Sequence, residues 1–157
     1  MKHLESITAQ DAFEYFLALG VKNGAFHSRD GVYALYPLDL LTGTLYEQFA
    51  EWLAACDLAY DSAPETADWD CEDFAQGYVL FCNIYHRQNQ RFLKDHWANS
   101  TAVWECWVNE LQHALCIVLY RDEEGKLCHA FIETQPKSFR RVRTLTAEQI
   151  ASISLIR

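Results

Sequence analysis

The chain has 157 residues and a mass of 18.2 kDa, which predicts one domain with a single core over 1–157. Half of its residues are hydrophobic and 14% are aromatic, which excludes intrinsic disorder for most of its length. A formal charge of −9, from 22 acidic and 13 basic side chains, excludes broad nucleic-acid binding, because a phosphate backbone would repel such a surface.

No stretch approaches the ~20 apolar residues of a membrane span. Glu5, Asp11 and Glu14 stand where a signal peptide would have its apolar core, so the expectation is a cytoplasmic protein with no membrane partner. The cysteines, Cys56, Cys71, Cys82, Cys106, Cys116 and Cys128, are scattered among apolar runs and read mostly as buried thiols rather than a disulfide scaffold.

Thr8 as N-cap and Gly20 as stop bracket apolar positions that predict a helix over 8–19. Val32 to Tyr36 reads as a short strand or extended loop, and Thr42 or Thr44 opens a second helix over about 44–56. The acidic stretch 57–69, with Pro64, reads as a surface loop. A third helix starts at Cys71. Its stripe of Cys71, Phe74, Tyr78, Phe81 and Tyr85 lies on one face of a 3.6-residue period.

Residues 86–100 read as the end of that helix and a long connection. The period then changes: 111–120 and 127–133 predict two strands joined by a charged turn at 121–126. If Tyr120 faces Lys126, antiparallel pairing sets His113 opposite Glu133. Segment 138–143 reads as a further strand, Thr146 with Gln149 as the cap of a short helical turn, and 153–156 as a strand closing the sheet. Lys137, Arg140, Arg141 and Arg143 read as a solvated basic face. Helices first and an antiparallel sheet last argue for an α+β class.

Three residues carry chemistry together: Cys71 at a helix start, His113 at a strand start and Glu133 on the neighbouring strand. A thiol needs its thiolate stabilised, and both the free N–H groups of a helix start and a nearby imidazolium supply that. A carboxylate beside the histidine fixes its tautomer and orientation. Asp73, two residues past the thiol, reads as a structural cap or a surface charge, and Gln135 as a residue lining the site or bonding a loop.

Asp70-Cys71-Glu72-Asp73-Phe74-Ala75 resembles the D-C-x-D-[FY]-A motif of transglutaminase-like and papain-like cysteine hydrolases, and His113-Ala114 and Phe131–Gln135 resemble their base and acid strands. The resemblance covers about residues 68–136. It implies a papain-like fold, with N-terminal helices and a nucleophile-bearing central helix on a C-terminal sheet. It also implies cysteine-dependent acyl transfer by a Cys71–His113–Glu133 triad on a protein or peptide substrate, without a cofactor. An oxyanion donor is expected upstream of the thiol, with Gln48 best placed along the chain and Trp69 or Tyr46 as alternatives.

Two competing readings come from other classes. His86, His96, His113, His129 and the cysteines are metal-ligand types, but their spacing matches no zinc motif, so no metal is expected. Phe92, Trp97, Trp104 and Trp107 suit either a core or the anchors of a catalytically silent papain-like protein-binding module, an inhibitor or effector.

Overall fold

The computed structural model describes residues 4–58, 69–90, 98–135 and 141–157. Most of the acidic stretch 57–69, the aromatic pair Phe92 and Trp97, His96, and the basic residues Lys137 and Arg140 lie outside the described residues.

The chain enters through a strand, β1 (Glu5–Thr8), that local sequence did not predict. Four residues carry too little periodicity to signal it, and β1 is held by a distant antiparallel partner, β2 (Val32–Leu35), through pairs such as Ile7 with Tyr33. Between them, α1 (Ala9–Leu19) starts and stops as expected. Thr8 caps the Asp11 N–H, and Gly20, at φ +104°, lets the Gly20 and Val21 amides close back onto Leu17 and Phe16 carbonyls. A short helix, α2 (Leu38–Thr42), precedes α3 (Thr44–Ala55), and α4 (Cys71–Asn89) follows.

The buried stripe of α4 is Phe74, Ala75, Tyr78, Cys82 and His86, so it follows the i+4 row. Phe81 and Tyr85, expected on the stripe, lie half-buried at its edge. The helix end expected within 86–100 falls at Asn89, and His86 is buried between the Tyr36 hydroxyl and the Ala98 carbonyl.

After α4 come β3 (Ser100–Thr101), β4 (Val103–Val108), β5 (His113–Arg121), β6 (Leu127–Ile132), β7 (Val142–Arg143), α5 (Ala147–Ala151) and β8 (Ile153–Ile156). They give a five-stranded antiparallel sheet in the order β7-β6-β5-β4-β8, and β3 joins β2 and β1 in a second, three-stranded sheet. Strand β4 decides between the two readings of Trp104 in favour of the core. Trp104 is buried against Phe16, Phe26 and Tyr33, and Trp107 is half-buried on the same strand. Glu105 between them obscured the strand signal; it is buried because Arg157 bonds its carboxylate at 2.7 Å.

Strand β5 separates two cores. Leu115, Ile117 and Leu119 join a cluster built on α1, whereas Ala114, Cys116 and Val118 join the cluster of α2, α3 and α4. Burial on both faces explains why β5 reads as an unbroken apolar run. The turn after it is tied by Asp122, whose carboxylate accepts from the Glu124 and Lys126 amides, with Gly125 at φ +80°. Of the strand expected over 138–143, residues 138–140 lie outside the described residues and β7 holds Val142–Arg143, while β8 closes the sheet beside β4.

Candidate functional site

Asp70 accepts from the Glu72 and Asp73 amides while the Asp73 carboxylate accepts from the Asp70 amide, so a reciprocal capping box fixes where α4 begins. Asp73 is therefore a cap. The same bonds alter the expected support for the thiol: two first-turn amides are spent on Asp70 and are not free to face the sulfur. Instead the Ala114 amide donates to Cys71 Sγ at 3.4 Å. Strand β6 ends at Ile132, short of the position opposite Ala114, and the helix start occupies that end of the sheet.

The β5–β6 register differs from the expected one by two residues, since Tyr120 pairs with Cys128 rather than with Lys126. A slip of two preserves the face, so His113 and Glu133 still meet, now as diagonal neighbours. His113 Nε2 lies 2.9 Å from Glu133 Oε2, and the carboxylate is almost wholly buried. Hydrogen bonding of the protonated ring to the Cys71 sulfur first, and to Glu133 second, raises the His113 pKa from 6.5 to about 9, against the opposing effect of burial. Burial pushes the Glu133 carboxyl up, but the His113 bond and charge, the Gln135 amide and the Arg143 charge outweigh it and hold the group below the usual carboxylate value.

Sequence reasoning missed one member of the site and misplaced another. Arg143, read as part of a solvated run, puts Nη1 3.1 Å from the same Glu133 oxygen. The β6–β7 pairing that sets Arg143 opposite Phe131 brings it there, and nothing local announces that. Gln48, the expected oxyanion donor, is exposed on α3. It sits about 200° around the helix from Tyr46, the α3 residue that does reach the site. The Tyr46 hydroxyl donates to the Gln135 carbonyl at 3.2 Å, and Arg141 stacks on its ring at 4.8 Å. Gln135 thus bonds the loop around Glu133. Burial first, and Glu133 second, push the Tyr46 phenol up to about 12.

Among the described residues, no three His, Cys, Asp or Glu side chains are grouped to hold a metal, and no helix is long and apolar enough to cross a membrane. Beside α4 runs a cleft of about 430 Å3 lined by Trp69, Asp73, Gln76, Asn83, Arg29 and Arg157. Trp69 lies close against the helix because residue 77 is glycine; a Cβ there would stand 2.7 Å from the indole.

This chain shares its fold with part of longer chains of solved structure. It is similar to a chain of the PSL1a-E64 complex, with a TM-score of 0.65 at 15% identity, over 96% of this chain and 49% of that one. It is also similar to the Polyporus squamosus lectin bound to the human-type influenza-binding epitope Neu5Aca2-6Galb1-4GlcNAc, with a TM-score of 0.62 at 16% identity, over 96% of this chain and 48% of that one. The chain therefore spans about half the length of these neighbours. No family profile and no characterised relative matches the sequence.

These neighbours overturn the papain-like and transglutaminase-like assignment, with its fold class and its description as a thiol protease with a catalytic triad. The acyl-transfer function and the silent papain-like alternative fall with it. The motif that suggested them has a local cause: Asp70 and Asp73 form the capping box, while Phe74 and Ala75 enter the core.

Proposed function

We propose that residues 1–157 form one ligand-binding domain centred on Cys71, a nucleophilic thiol whose proton is taken by His113, itself oriented by Glu133. The observation that carries this reading is geometric: His113 Nε2 lies 2.9 Å from Glu133 Oε2, and the amide of the next residue, Ala114, donates to Cys71 Sγ at 3.4 Å. Passing the proton to the ring yields a thiolate beside an imidazolium, with the Ala114 amide on the sulfur. Such a sulfur forms an S–C bond to an electrophilic carbon of a bound ligand as the bond from that carbon to its leaving group breaks, and the His113 imidazolium gives its proton to the departing group. The occupant expected from the sequence is a protein or peptide segment, reaching a thiol that is only half-buried.

Iodoacetamide tests this, because the S–C bond forms as iodide leaves and the modified cysteine is read by peptide mass spectrometry. At pH 6–7 Cys71 is expected to label well ahead of Cys82, Cys106 and Cys116, all of which burial pushes up, Cys82 to about 12. His113→Ala should slow Cys71 at least about tenfold, and prior incubation with the compound of the first neighbour's complex should protect it. Equal labelling in wild type and His113→Ala overturns the reading.

The cleft beside Trp69 favours a second ligand class. An indole flanked by carboxylate, amide and guanidinium groups suits a hydroxyl-rich sugar. Titrating the second neighbour's epitope, Neu5Aca2-6Galb1-4GlcNAc, should change tryptophan fluorescence saturably, and Gln76→Ala should weaken the response. A flat titration removes the sugar reading.

A further inference from the structure

The carboxylate that orients His113 is shared. Glu133 Oε2 takes His113 Nε2 at 2.9 Å and Arg143 Nη1 at 3.1 Å, while Oε1 takes the Gln135 amide at 3.4 Å. A nearly buried carboxylate with one cationic partner would give that partner its full charge; with two on one oxygen, the charge is divided. Arg143 is held in place by backbone pairing, opposite Phe131, with the Glu133 amide bonded to the Arg141 carbonyl. The guanidinium is therefore aimed by the sheet edge.

We propose that Arg143 is a positioning residue that sets the basicity of His113 by sharing Glu133 Oε2 with it. The inference deepens the thiol-centred reading above and rests on it for its chemical use. Among the described residues, the groups that act on His113 are Cys71 from α4 and Glu133 after β6, and around Glu133 stand Arg143 from β7 and Tyr46 from α3, the latter beneath Arg141. Arg141 is engaged elsewhere, donating to the Thr42 carbonyl at 2.7 Å and stacking on Tyr46, so among the described residues Arg143 is the cation that divides the carboxylate. Without it, Glu133 acts on His113 alone, the imidazolium is better stabilised, and the sulfur loses a nearby positive charge. Both changes move the pH window of the thiolate–imidazolium pair upward.

The test is an NMR titration of the His113 ring in wild type, Arg143→Lys and Arg143→Gln, with amide spectra to establish that each chain is folded. Arg143→Gln is expected to raise the His113 pKa by about half a unit, and Arg143→Lys, which keeps the charge, to restore most of the wild-type value. An unchanged or lowered His113 pKa in folded Arg143→Gln overturns the proposal. Iodoacetamide labelling of Cys71 against pH in the same variants separates the two readings. A His113 pKa that rises while wild-type Cys71 stays inert upholds the role of Arg143 and sinks the nucleophilic thiol; a labelling window that moves upward with the pKa upholds both.

Discussion

His113 joins three chemistries at one ring, so its protonation reports on the whole site. Its pKa in the fold, about 9, lies above the 6.5 of the free side chain. A raised value means that protonation favours the folded state: the contribution is complete below about pH 6.5 and disappears as pH rises through about 9. At 1.36 kcal/mol per unit the shift corresponds to roughly 3–3.5 kcal/mol. Glu133 has the opposite sign, because its lowered value makes the contribution complete above the ordinary carboxylate range and lost on acidification. Thermal denaturation followed by circular dichroism should therefore show wild type losing stability between pH 6.5 and 9 more steeply than His113→Ala. Identical slopes in the two chains would mean that the ring gains nothing from its partners.

The helix start at Cys71 is set by α4 itself. Asp70 and Asp73 satisfy each other's backbone groups, and Phe74 and Ala75 anchor the first turn in the core. Asp70→Ala should cost about 1 kcal/mol in urea denaturation, the usual value of an N-cap. It should also slow Cys71 alkylation, since fraying of the first turn moves the sulfur from the Ala114 amide. A variant that loses neither stability nor labelling rate would show that the cap does not position the thiol. Element signals of this kind were readable in advance: the caps of α1 and α5, the start of α4 and the β5–β6 hairpin all follow from residues within a few positions of each other. The hairpin register was not, because Asp122 and Gly125 build a turn from 122 to 126 that local composition does not count.

Across the molecule, the five-stranded sheet carries α1 on one face and α2, α3 and α4 on the other, and its β5–β6 end meets the start of α4. That arrangement explains why two absent expectations mattered most. Strand β1 needs β2, and β4 needs β5 and β8; each gains its stability from a partner far along the chain, so neither has a strong local pattern. Arg143 belongs to the same case, since a charge run says nothing of which guanidinium a sheet edge will turn toward a carboxylate. The D-C-x-D-F-A match erred for the converse reason: a capping box and two core residues produce it from local demands alone. By itself the sequence determined the caps, the hairpin and the nearness of His113 to Glu133, because short-range hydrogen bonds and side-chain parity survive a two-residue slip. Tertiary structure alone decided the second sheet, the burial of Trp104 and Glu105, and the entry of Tyr46 and Arg143 into the site, because these depend on pairing between segments that no local period connects.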